Sequence, residues 1–81
     1  DEMRSTKEGI EKAIDILNDG GRVAVITFHS LEDRLVKTIF KERQKNDGLT
    51  ILTQKPITPS EEEIKNNPRC RSAKLRILER K

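Results

Sequence analysis

The stretch FHSLEDR, residues 28–34, sets polar and ionisable side chains directly after an apolar run. His29, the one histidine of the chain, can act as an acid, a base or a hydrogen-bond donor. Ser30 follows it, and the next turn carries three charged residues: Glu32, Asp33 and Arg34. In open α/β sheets, ligands bind beyond the carboxyl ends of the strands, and a helix N-terminus attracts anions. These residues are therefore candidates for contacts with a nucleotide.

A purely structural role accounts for the same residues. Ser30 has the position of a helix N-cap with Asp33 three residues later, and Arg34 can pair with either neighbouring acid. The adjacent side chains of His29 and Ser30 diverge, and nothing else completes a nucleophilic triad, so a hydrolase has little support. Spacing alone favours the structural role.

A basic segment ends the chain. Between Pro68 and Lys81 a single acid, Glu79, stands against six basic residues: Arg69, Arg71, Lys74, Arg76, Arg80 and Lys81. A turn fixed by Pro68 and bearing two arginines, followed by a strand with two basic residues on one face, suits a phosphate backbone. With no aromatic nearby to stack on a base, the contact would be to the backbone alone. A solvated surface is the alternative reading.

Several other site classes find no support. One cysteine and one histidine cannot build a zinc site, and Cys70 has no disulfide partner, so no metal is expected. Gly20–Gly21 precedes a strand, which makes it a turn and not a phosphate-binding loop. No apolar run approaches the ~20 residues that span a bilayer, and no signal peptide is visible. The expected location is the cytoplasm.

Hydrophobic periodicity predicts an α/β domain with a thin core, since hydrophobic residues make up 32% of the 81 residues and charged residues 38%. A helix over 5–18 has a capping-box spacing at Ser5 and Glu8, with an earlier start of the helix as the alternative. The continuous apolar strand 22–28 is expected to be covered on both faces. The helix that follows has a predicted buried stripe of Leu31, Leu35, Val36, Ile39 and Phe40. The remaining predicted elements are strand 49–55, a short helix capped by Ser60 and Glu63, and strand 72–80. A helical crossover makes the first two strands parallel.

Two long segments resemble a known family. GGRVAVITFHSLEDRLVKTIF, followed by ILTQKPITPSEEEIKNNPRCRSAKLRILER, is similar to the C-terminal end of the bacterial 16S ribosomal RNA cytosine-N4 methyltransferases of the MraW type. The similarity extends over about residues 1–81, and motifs of this length in this order are specific.

The resemblance implies the C-terminal part of a class I methyltransferase sheet, Rossmann-like, with three strands and flanking helices. Strands 22–28 and 49–55 would be parallel, and strand 72–80 would insert antiparallel between them. The implied reaction moves a methyl group from S-adenosylmethionine to N4 of a cytidine in 16S rRNA of the small ribosomal subunit. The family's cofactor residues and inserted helical domain belong to the N-terminal part, so residues 1–81 are expected to be inactive alone.

On this template His29 and Asp33 are candidate catalytic residues that shape the cytidine pocket. The candidates for substrate and RNA contacts are Ser30, Glu32, Arg34, Arg69, Arg71, Lys74 and Arg76. The missing neighbour of strand 22–28 leaves an open edge through which the chain is expected to self-associate. The alternative function is a stand-alone small α/β module that binds RNA without catalysis.

Overall fold

The structure, a computed structural model, describes residues 2–81. Its helices are α1 (Glu2–Asp15), α2 (Ser30–Asp47) and α3 (Glu61–Asn66), and a 3-10 helix covers Pro68–Ser72. Its strands are β1 (Arg22–Thr27), β2 (Thr50–Ile51) and β3 (Lys74–Glu79). The predicted α/β class and the order of elements are confirmed.

The three strands form one sheet in the order β1-β3-β2. β3 is antiparallel to both neighbours: Arg22 lies opposite Glu79 and Thr27 opposite Lys74, while Ile51 lies opposite Leu78. The last strand therefore inserts between the other two, as the family resemblance implies. β1 and β2 point the same way but do not pair with each other, and β1 is an edge strand.

Both long helices cover one face of the sheet. The core joins residues of α1, α2, β3 and the turn before β2: Ile10, Ile14, Val36, Ile39, Phe40, Leu49 and Leu78. In α1 the buried residues are Ile10 and Ile14, which lie four positions apart on one face of the helix. In α2 the predicted stripe is too long at its start, since Leu31 is 65% exposed. Leu31 lies in the first turn, ahead of the part of α2 that packs in the core.

The opposite face of the sheet is open. The prediction that strand 22–28 is covered on both faces is wrong for this chain, because Ala24 is exposed and Ile26 is 59% exposed. The residues opposite them, Ile77 and Leu75, are half-buried. Within residues 2–81 both α1 and α2 pack on the other face, so no helix of comparable length shields this one.

The ends of α1 and β2 differ from the pattern. α1 starts before Ser5, which is exposed inside the helix and is not its cap. It ends at Asp15, where the Arg80 guanidinium donates to the Ile14 carbonyl at 3.0 Å. β2 is shorter than predicted because the Thr53 hydroxyl accepts the Ile77 N–H at 3.1 Å, in place of a backbone carbonyl.

Local capping signals are accurate elsewhere. The predicted capping box of α3 forms: the Glu63 N–H donates to the Ser60 hydroxyl at 3.1 Å, and the Ser60 N–H donates to the Glu63 carboxylate at 3.0 Å. Gly48 ends α2 in the left-handed conformation, with φ of 70°. The turn fixed by Pro68 forms the 3-10 helix that leads into β3.

Candidate functional site

The FHSLEDR segment forms the connection between β1 and α2. β1 ends at Thr27 and α2 begins at Ser30, so Phe28 and His29 make up the loop. His29 is the N-cap residue, with φ of −125° and ψ of 144°, and its carbonyl accepts the Asp33 N–H at 3.0 Å. The predicted cap by Ser30 is wrong: the helix begins one residue earlier, and no side chain caps it.

The exposed side chains at this helix start leave it open to a partner. His29 and Ser30 are exposed, and Phe28 is 48% exposed. Arg34 is exposed too, and within residues 2–81 it has no carboxylate within 4.0 Å, so the predicted pairing with Glu32 or Asp33 is wrong. Glu32 is half-buried. The segment therefore offers an imidazole, a hydroxyl and a guanidinium to solvent at the carboxyl end of β1.

Asp33 has turned inward and binds Arg76. The Arg76 Nε donates to Asp33 Oδ1 at 2.7 Å, and a terminal guanidinium nitrogen donates to Oδ2 at 3.0 Å. Asp33 is 8% exposed and Arg76 7% exposed. This two-point geometry is the strongest that an arginine and a carboxylate make. The pair ties the first turn of α2 to the middle of β3, 43 residues away in sequence.

The electrostatics keep both groups charged. The hydrogen bond from Arg76 lowers the pKa of Asp33, against the opposing effect of burial, and the charges of Arg76, Lys74 and Lys37 lower it further. The hydrogen bond to Asp33 raises the pKa of Arg76. Lys74 lies with its Nζ 3.9 Å from Asp33 Oδ2. A carboxylate held in this way is a fixed charge that positions its helix.

The structure brings together some of the predicted site residues and leaves others apart. Asp33, Lys74 and Arg76 form one cluster. Arg69 and Arg71 lie on the 3-10 helix, are exposed, and have no carboxylate within 4.0 Å among the described residues. A catalytic role of Asp33 and an RNA contact of Arg76 stay predictions. The geometry shows both side chains engaged with each other.

A cleft beside α2 was not anticipated. It has a volume of about 250 Å³ and is lined by Lys37, Phe40, Lys41, Gln44, Ile51, Thr53, Gln54 and Arg76. A hydrogen bond joins α2 to β2 at this cleft: the Ile51 N–H donates to the Gln44 side-chain carbonyl at 2.9 Å. The signal in the sequence was the basic spacing along α2, in which Lys37 and Lys41 are one turn apart.

A second, shallower cleft opens on the uncovered face of the sheet. It measures about 190 Å³ and is lined by Ile26, Ile57, Thr58, Pro59, Glu63, Cys70, Ala73 and Leu75. Within residues 2–81 no three acidic, histidine or cysteine side chains gather as metal ligands. Over the same residues, no helix has the length and apolar character needed to cross a membrane.

The sequence matches the MraW methylase family over residues 1–81. Ribosomal RNA small subunit methyltransferase H of Persephonella marina is 57% identical over 79 residues, which are 98% of this chain and 27% of that protein. The protein of the same name from a Sulfurihydrogenibium species is 57% identical over 76 residues, 94% of this chain and 26% of the relative. The protein of the same name from Leptospira interrogans is 52% identical over 77 residues, which are 95% of this chain and 23% of that relative. The chain thus spans about a quarter of the length of these curated relatives.

Proposed function

Because the chain belongs to the MraW methylase family, we propose that it is part of an enzyme that methylates the RNA of the small ribosomal subunit. The observation that carries the proposal is the match over all 81 residues, together with relatives more than half identical that bear this activity in their name. The cytoplasm, where small subunits are found, is the expected compartment.

We further propose that the methyl group comes from S-adenosylmethionine and goes to N4 of a cytidine in 16S rRNA. An exocyclic amine conjugated with its base is a weak nucleophile, so the enzyme must orient it and take up the proton that N4 loses. Residues 1–81 would be the C-terminal part of the catalytic domain, with β1, β3 and β2 as one edge of a larger class I sheet. The insertion of β3 between β1 and β2 supports this placement.

Neither of the two clefts described above is large enough to be a complete cofactor pocket. Clefts of about 250 and 190 Å³ fall below the ~300–1,000 Å³ that ligands of this size usually occupy. S-adenosylmethionine would therefore be held mainly by residues outside this chain, and residues 1–81 alone should not transfer a methyl group.

The substrate role falls to the exposed helix start. We assign the contacts with the target cytidine to His29 and Ser30, because both are exposed beyond the carboxyl end of β1. Arg34 and Glu32 lie in the same turn and would contact the neighbouring nucleotide. Asp33 takes a positioning role, because its carboxylate is already bound by Arg76.

The basic residues before and within β3 also divide into exposed ones that can contact RNA and a buried one that holds the structure. Arg69 and Arg71 are exposed and unpaired among the described residues, which suits contacts with rRNA phosphates. Lys74 is half-buried, with 40% of its side chain exposed, so it can reach a phosphate while it stays near Asp33. Arg76 is buried and holds the helix start in place.

The test uses the longest protein that the gene encodes. Purified protein, small ribosomal subunits and S-adenosylmethionine with an isotope-labelled methyl group are incubated, and the rRNA nucleosides are identified by mass spectrometry. Labelled N4-methylcytidine is expected. His29→Ala should lower the rate by about 100-fold if His29 handles the amine or its proton, whereas Asn66→Ala, on the exposed face of α3, should not change it.

A label on another nucleoside would overturn the N4 assignment, and no label would overturn the activity itself. Equal rates for His29→Ala and Asn66→Ala would remove His29 from the site. The alternative, a stand-alone RNA-binding module, draws on one observation: residues 2–81 bury an apolar cluster of their own. It would be supported by RNA binding without methyl transfer in that longest protein.

A further inference from the structure

One face of α2 carries a stripe of basic side chains. Arg34, Lys37, Lys41 and Lys45 are separated by three, four and four residues, which places them along one side of the helix. All four are exposed. At 1.5 Å per residue, the stripe is about 16 Å long. The acids nearest in sequence are Asp33, next to Arg34, and Glu42, next to Lys41. Because successive residues of an α-helix are about 100° apart around its axis, both acids lie to the side of the stripe.

These four charges form no ion pair among the described residues, although Lys37 acts on Asp33 from a longer distance. Among residues 2–81, none of them has an acidic partner within 4.0 Å. Arg43 shows the contrast: it projects from the opposite side of the same helix, and its guanidinium is shared between Asp15 and Asp47. Arg43 ties α2 to α1 through Asp15, whereas the stripe is available to an external anion.

The cleft of about 250 Å³ adjoins the stripe. Lys37 and Lys41 form part of its wall, and Gln44 and Gln54 bring side-chain amides to it. The Gln44 carbonyl is occupied by the Ile51 N–H, so its amide N–H groups are the ones left to donate. Phe40 is only 1% exposed and offers no ring face for stacking on a base. The donors therefore match phosphate oxygens and ribose hydroxyls, and nothing here reads a base.

We propose that the stripe Arg34–Lys37–Lys41–Lys45 and the adjoining cleft bind the sugar-phosphate backbone of RNA. This rests on the proposed function and extends its RNA contact surface from Arg34 along α2, apart from Arg69 and Arg71. Three of the four stripe residues are lysines, which are depleted at protein–protein interfaces and enriched where backbones of nucleic acids bind. RNA is therefore the partner that the chemistry favours over an acidic protein.

The experiment compares two double variants of the longest protein that the gene encodes. Lys37→Gln with Lys41→Gln removes two stripe charges. Lys7→Gln with Lys12→Gln removes two exposed charges from α1 and is the matched control. Binding of an unpaired oligonucleotide with a small-subunit rRNA sequence is measured by fluorescence anisotropy between about 50 and about 300 mM KCl, because log K falls linearly with the logarithm of the salt concentration and the slope counts the phosphate contacts.

The stripe variant should bind the oligonucleotide about tenfold more weakly near 0.15 M salt. The slope of log K against log salt should be smaller in magnitude by about 1.4, because two phosphate contacts with a single strand are lost. The control should keep the wild-type slope. Lys37→Arg with Lys41→Arg keeps the charges and should bind like wild type. Thermal midpoints equal to wild type for all three variants show that none acts through unfolding.

Identical slopes for the stripe variant and the control overturn this inference, and an acidic protein would then be sought as the partner. That result leaves the proposed function intact as long as the wild-type protein methylates small-subunit rRNA. A wild-type protein that neither binds nor methylates this RNA overturns both. The two failures are therefore distinguishable in one set of measurements.

Discussion

Removing the Asp33 carboxylate should destabilise the chain more than any exposed substitution. Arg76 is 7% exposed and binds both Asp33 oxygens, at 2.7 and 3.0 Å; in Asp33→Asn it loses the negative charge it faces, and an amide NH2 replaces one of those oxygens. Breaking one side of a buried ion pair leaves an uncompensated charge and costs about 3–5 kcal/mol. A domain of this length is stable by only about 4–12 kcal/mol, so much of the free energy of unfolding would be lost.

The assay is urea denaturation followed by far-UV circular dichroism. With a slope of about 1 kcal/mol per M for a chain this small, a loss of about 3 kcal/mol moves the midpoint by about 3 M. Arg22→Gln is the matched control, because Arg22 forms an equally short pair with Glu79 at 2.7 Å but is 64% exposed. An exposed pair contributes about 0–1 kcal/mol, so the control should shift little.

The sign of the pH dependence follows from the lowered pKa of Asp33. A carboxylate whose pKa is depressed by folding adds stability above its unfolded pKa, near 3.8. That stability is lost as pH falls through the lower pKa of the folded state. Wild type should therefore lose stability on acidification below about pH 4, and Asp33→Asn should lack this component.

A double variant separates pairing from packing. Asp33→Leu with Arg76→Met replaces the pair by apolar groups, a change that is often neutral or stabilising for a buried pair. It should recover most of what Asp33→Asn loses. A loss below about 1 kcal/mol in Asp33→Asn, equal to that of Arg22→Gln, would contradict the buried-pair account.

Three further predictions concern local structure and assembly. Ser60→Ala should destabilise α3 by about 1 kcal/mol, which would be measured as faster amide exchange at Glu63. The global urea midpoint should stay unchanged, because α3 buries no residue. A large shift of that midpoint would count against this prediction. Gly48→Ala should lower the free energy of unfolding by about 1 kcal/mol, because φ is 70° at that position. Gly9→Ala should raise it, because Gly9 lies in the middle of α1 and nothing lies within 4 Å of the new Cβ. Equal effects of the two substitutions would refute the backbone argument. The isolated 81-residue chain should self-associate through the edge of β1, so its light-scattering mass should rise with concentration, and a constant monomer mass would exclude it.

Local signals in the sequence predicted the elements well. The capping box of Ser60 and Glu63 depends on residues within one turn, so pattern alone identifies it. The predicted alternation of the last strand agrees with burial in β3, where Arg76 is buried and its neighbours Leu75 and Ile77 are half-buried. Periodicity also located the buried residues Val36, Ile39 and Phe40 of α2.

Long-range contacts were the part that pattern could not supply. The position of Asp33 three residues after Ser30 is typical of a helix-cap partner. Its actual partner, Arg76, is 43 residues away in sequence, and local spacing does not indicate it. β2 looked longer because a side chain, Thr53, takes over a backbone hydrogen bond of β3. The apolar face of β1 looked covered because its residues are β-branched, yet nothing of comparable size to α1 or α2 packs there within residues 2–81. Each error concerns what a residue meets in space, which local spacing does not encode.

The most direct test of the central claim is the nucleoside composition of small-subunit rRNA from cells in which the gene is deleted. We predict that N4-methylation of one cytidine disappears, that the intact gene restores it, and that a gene carrying His29→Ala does not. Unchanged N4-methylcytidine in the deletion strain would contradict the account, since the chain would then belong to the MraW methylase family without serving this reaction.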